Sequence, residues 1–152
     1  MQTLMTRELA KKVLEVVDAG LVSGLGEPVP GQMCVEAAVC YAMGLPHSDE
    51  PKCIGAAVRS FKIHLNDSKW PTGADRTKGM RKLAIAQLGT KDTLDTDEFL
   101  KRVQTMTIRV VVPIAFREAA KKTKDPHKQA LLTHADKCET EPTLENLKAA
   151  RK

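Results

Sequence analysis

The sequence predicts an all-α fold, and three observations carry that prediction. Aromatic residues make up 3% of the chain, namely Tyr41, Phe61, Trp70, Phe99 and Phe116. That is too few for a sandwich or barrel, whose strands favour aromatic and β-branched side chains. Ala, Leu, Lys, Met and Glu, the strong helix formers, dominate instead. Apolar residues also recur at helical spacing through most of the 152 residues, in segments punctuated by Gly, Pro, Asn and Asp. A chain of this length buries roughly 68–70% of its unfolded surface, so its core needs no metal or disulfide. The expectation is a single helical domain over residues 1–152. It is read as a compact bundle of about six or seven short helices around a buried, small-residue central helix.

Each element follows from the order of residues. Leu9, Val13, Val16 and Val17 share one face of a first helix over Thr3–Ala19. Gly20–Gly31, with four glycines and two prolines, is the loop that stops it. Met33–Met43 carries Val35, Ala38, Val39 and Ala42, with Glu36 its only charge. A helix apolar nearly all round belongs in the interior. Gly44, Leu45 and Pro46 end it. Pro51, after Asp49 and Glu50, suits a first turn, and Ile54, Val58, Phe61 and Leu65 then form one apolar stripe. Asn66–Gly73 breaks the chain before a fourth helix over Asp75–Leu88, built on Met80, Leu83, Ala84 and Leu88.

Asp95 and Glu98 have capping-box spacing, and Phe99, Val103, Met106, Val110 and Ile114 continue the helix they open. The β-branched run Thr107–Val112 suits a strand by composition. The helical period runs through it unbroken, however, and no second strand is at hand to pair with it. Pro113 offers no N–H to the carbonyl of Arg109, which predicts a kink there. Asp125 and Pro126 start a helix that runs through Ala135, and Thr143–Arg151 gives a last short one. One pattern occurs twice, in Cys34–Val39 and Cys53–Val58, nineteen residues apart. That offset is shorter than known helical repeats, so two core helices meeting through small faces are expected.

Arg7, Glu8, Lys11 and Lys12 interrupt the N-terminal stretch, leaving no apolar run of signal-peptide length. The longest uncharged apolar run, Val110–Phe116 if Pro113 is allowed, falls far short of the ~18 residues of a membrane span. A cytoplasmic location without membrane contact is expected, with Cys34, Cys40, Cys53 and Cys138 as free thiols.

No phosphate-loop or dinucleotide fingerprint is present, and Asp95, Asp97 and Glu98 are accounted for as helix-start residues. Cys34, Cys40, His47 and Cys53 lack the paired spacing of structural zinc, and His134 with Cys138 has no second pair. Neither metal nor cofactor is expected. Cys34 follows Gln32 and begins a helix, where the dipole can depress a thiol pKa. That superficially resembles the layout of papain-like cysteine peptidases. Those enzymes also need a histidine, commonly from a sheet this chain lacks, so the small-hydrophobe reading of Cys34 is preferred.

The charge distribution is more informative. The chain carries a net +5. From Arg59 to Lys82 seven basic residues face two acidic ones, a surplus equal to that of the whole chain. Arg59, Lys62, Lys69, Trp70, Arg76, Lys78, Arg81 and Lys82 are the candidate ligand-binding residues. Two helices basic on their outer faces, with the single tryptophan at their corner, are suited to cradling phosphates and stacking a base. The expected activity is non-catalytic binding of an anionic ligand, nucleic acid or nucleotide. The plain account is a solvated face with Trp70 closing the core. The alternative is a protein-binding inhibitor or adaptor, such as mobile elements carry, acting through Lys121–Lys152 or the exposed side of the kinked helix. A homo-oligomer is compatible with either, and a cysteine-dependent enzyme ranks third.

Overall fold

A computed structural model describes residues 6–150; residues 1–5 and 151–152, including the ends of the first and last expected helices, lie outside the described part. The chain is all-α, with no strand among the described residues. It groups into two compact units, residues 1–94 and 95–152, where the sequence suggests one domain. No helix among the described residues is long and apolar enough to cross a membrane.

The first unit contains α1 (Arg7–Asp18), α2 (Val35–Ala42), α3 (Ala56–Asp67), α4 (Gly73–Ala86) and the single turn α5 (Thr90–Thr93). Thr6 caps α1, its hydroxyl accepting from the Leu9 N–H, and Val13 and Val17 are buried. Every residue from Met33 to Cys40 is buried, so α2 is the centre of this unit. It ends in a Schellman motif: the Gly44 N–H donates to the Tyr41 carbonyl and the Leu45 N–H to that of Cys40. Gly44 takes φ +68° there, which is why glycine fits.

Helix α3 starts at Ala56, later than the proline signal suggests. Residues 51–54 form a separate turn closed by Ile54 N–H to the Pro51 carbonyl. Gly55 is then the N-cap, and its N–H donates to the Thr90 hydroxyl. Val58, Lys62 and Asn66 are the buried positions of α3. The stripe thus advances by fours, whereas Phe61 and Leu65 are half-buried.

The 20–31 loop is tied down rather than loose. Asn66 donates to the Val22 carbonyl and accepts from the Val35 N–H (2.8 and 3.2 Å). Asp67 accepts from the Gly24 N–H at 2.7 Å. A side chain at Gly26 would run into the Gln32 carbonyl, so the loop closes on the start of α2 only with glycine there.

The second unit contains α6 (Thr96–Met106), a π-helical turn (Thr107–Val111), α7 (Val112–Lys121), α8 (His127–Thr140) and α9 (Leu144–Ala149). Asp95 caps α6 by accepting from the Glu98 N–H. The helix continues without a strand through the β-branched run. At the expected kink it widens into the π turn, where the Val112 N–H bonds back to the Thr107 carbonyl. Pro113 removes the α-helical partner of the Arg109 carbonyl, and a wider turn accommodates that loss. Helix α7 lies against α8, with Ala120, Ala135 and Cys138 buried. Arg117 pairs with Asp136 and Glu139.

Candidate ligand-binding site

The basic candidates are dispersed among several roles. Lys62 is 2% exposed, so it is not part of a solvated face. It occupies the position one turn after Val58, and its Nζ lies 3.7 Å from Oε1 of Glu36, itself fully buried on α2. The expected place of Lys62 on a basic outer face is therefore corrected. A buried carboxylate on the facing helix supplies the counter-charge that lets a lysine enter the core.

Arg76 is half-buried and binds backbone, donating to the carbonyls of Asn66 and Leu21. Arg81 forms a forked pair with Asp18 on α1, at 2.7 and 3.0 Å. Trp70 donates its indole N–H to the Leu65 carbonyl at 2.9 Å, and its ring covers Gly79 on α4. This ring closes the α3–α4 corner. Lys69, Lys78 and Lys82 are exposed, and no ion pair holds them among the described residues. Arg59 pairs with Glu50 and stays partly exposed.

Arg59 belongs to a different grouping from the one its sequence neighbours suggest. An open groove of about 280 Å³ is lined by Lys52, Arg59 and Lys91, with Glu50, Pro51, Ile54 and Ala56. Its floor is the start of α3, whose N-cap Gly55 contributes no side-chain cap. The first N–H groups of a helix carry partial positive charge, and Lys52 and Lys91, with no ion pair among the described residues, lie beside that terminus together with the Arg59–Glu50 pair. Lys52 and Lys91 were not identifiable from the sequence, because they lie 39 positions apart. The contact that joins them is the Lys91 N–H donating to the Cys53 carbonyl.

No family model, curated protein or solved structure matches the chain. The functional reading therefore rests on its own geometry.

Next to Lys62, both carboxylate oxygens of Glu36, Nζ of Lys62 and both amide atoms of Gln87 are buried without hydrogen-bond partners among the described residues. Burial pushes Glu36 up to about 7, against the opposing pull of Lys62 and Gln87. Burial likewise lowers Lys62 to about 8. A cavity of about 20 Å³ adjoins this pair, lined in part by Cys34, Glu36, Asp49 and Asn66. It has room for a single water-sized group, not for a nucleotide.

Cys34 does not have the environment of a nucleophile. Its Sγ accepts from the Ala37 N–H at 3.3 Å and so caps α2. Burial raises its pKa, outweighing the helix N–H bonds that lower it. His47 and His64 are each engaged with a backbone carbonyl, of Gly26 and Ser60 respectively. No group of three or more His, Cys, Asp or Glu among the described residues is placed to hold a metal ion.

Proposed function

We propose that the protein is a non-catalytic binding protein for an anionic ligand, nucleic acid or nucleotide, held on the basic surface of residues 1–94. The observation that carries this reading is the groove of Lys52, Arg59 and Lys91 at the uncapped start of α3. A phosphate seated there meets Lys52 and Lys91 and takes the place of Glu50 on Arg59, beside the N-terminus of a helix, a place that favours anions elsewhere. Lys69, Lys78 and Lys82 extend the field as exposed charges. Trp70 contributes by holding the corner of α3 and α4, since its ring is occupied by Gly79.

The test is a salt titration of binding with labelled nucleotides, single strands and a short duplex. Three phosphate contacts on a duplex give a log–log slope of about −2.7. The Lys52→Glu, Lys91→Glu variant should lose binding while melting as wild type does. Wild-type affinity in that variant overturns the reading.

A further inference from the structure

Residues 95–152 carry more large apolar side chains outside than inside. Their buried positions are Ile108, Pro113, Ala120, Ala135 and Cys138, of which only Ile108 is a large aliphatic. Leu100, Met106, Val110, Val111 and Ile114 are each between 47% and 57% exposed. Met106, Val110 and Ile114 recur every four residues from the end of α6 through the π turn into α7, with Val111 beside them, so these four form one stripe. At ~1.5 Å per residue it runs about 12 Å, or roughly two helical turns. Scattered exposed apolar residues are normal, but a continuous stripe of this kind marks an interaction surface. Its composition is suited to receiving an apolar helix face.

One edge of the stripe is predominantly basic. Met106 and Val110 border an open groove of about 450 Å³ whose other lining includes Lys101, Arg102 and Arg109, with Glu98 as its only acid. Glu98 is paired with Arg102, and Lys101 and Arg109 have no ion pair among the described residues. Two copies of the chain docked antiparallel through this stripe would set basic edge against basic edge, and each copy carries +5. The charge therefore selects against a second copy and for an acidic occupant.

We propose that the α6–α7 helix docks an amphipathic helix of a partner protein, with that helix's apolar face on Met106–Ile114 and acidic residues along the Lys101–Arg109 edge. This surface belongs to the second unit and the anion groove to the first, and neither proposal depends on the other.

The experiment uses the full chain and two fluorescein-labelled synthetic helical peptides. Both have leucines at i, i+3, i+4 and i+7; one carries glutamate flanks and the other lysine flanks. Anisotropy should show the acidic peptide binding at least tenfold more tightly than the basic one. A Met106→Ser, Val110→Ser variant should lose at least tenfold for the acidic peptide, and Lys101→Glu, Arg109→Glu should reverse the preference. Equal binding of the two peptides, or wild-type binding by the serine variant, overturns the proposal. A concentration-dependent dimer in sedimentation that the serine variant abolishes also overturns it, because the occupant is then a second copy. A serine variant that melts well below wild type overturns it as well, since the stripe is then internal packing.

Discussion

Nζ of Lys62 lies 3.7 Å from Oε1 of Glu36, and both side chains are shut away from solvent between α2 and α3. At that distance the pair attracts without a close hydrogen bond, and Gln87 beside it is also unsatisfied. Removing one partner leaves the other buried without its counter-charge. Lys62→Met or Glu36→Met should therefore cost about 3–5 kcal/mol, whereas Glu36→Met with Lys62→Met should recover most of the loss. Urea unfolding of the four proteins at one pH gives the coupling directly. Single variants as stable as wild type would show that the pair is not closed in solution.

The same pair makes stability depend on pH in a defined direction. Glu36 moves from 4.5 to about 7 on folding. Between those values the unfolded chain is ionised at Glu36 and the folded chain holds the proton, so the stability contribution falls as pH rises. Lys62 moves from 10.5 to about 8. Between those values the unfolded chain holds a proton that the folded chain lacks, so the contribution rises with pH. The stability of wild type minus that of the Glu36→Met, Lys62→Met variant should thus be lowest between about pH 7 and 8. A difference independent of pH rules out the burial-driven shifts.

The helices were legible because their signals are local. Asp95 caps the helix that follows it, and Gly44 stops α2 as its position implies. The short α5 was not legible, because it is held by Thr90 against Gly55 and by Lys91 against Cys53 rather than by any period of its own. The burial of Lys62 was hidden for a related reason. A lysine reads as solvated until the opposing residue is known, and Glu36 is 26 positions away in sequence. The one cue was Glu36 itself, the lone charge in an otherwise apolar helix. Such a residue requires a partner from another element, and only the fold says which. The basic groove follows the same logic, joining Lys52 to Lys91 through a tertiary contact.

The tryptophan corner gives a test of packing. Any side chain at Gly79 meets the six-membered ring of Trp70, whose indole is fixed by its bond to Leu65. Alanine in a helix interior is otherwise favoured over glycine by roughly 0.5–1 kcal/mol. Overpacking costs about 1–3 kcal/mol, so the collision should win and Gly79→Ala should lower the melting temperature. Trp70 is the only tryptophan, and its fluorescence should shift to the red in the same variant. A stabilised protein with unchanged emission would mean the ring lies elsewhere.

The last prediction concerns Cys34, which sits where a helix dipole would ordinarily favour a thiolate. Burial dominates and raises its pKa, so at neutral pH the group is a thiol that accepts the Ala37 N–H. Cys40 is pushed higher, to about 11, by burial and by the nearby Glu36. All four cysteines are buried and free. A disulfide-exchange reagent at pH 7 should therefore find no fast thiol in the native chain and four in urea. The cap makes a second, independent demand. Serine can accept the same N–H, so Cys34→Ser should change stability little, while Cys34→Ala should lose roughly 0.5–2 kcal/mol with the cap. A native Cys34 that reacts far faster than the other three, with a folded serine variant that no longer functions, would restore the nucleophile reading. Equal stability of the serine and alanine variants would remove the capping role.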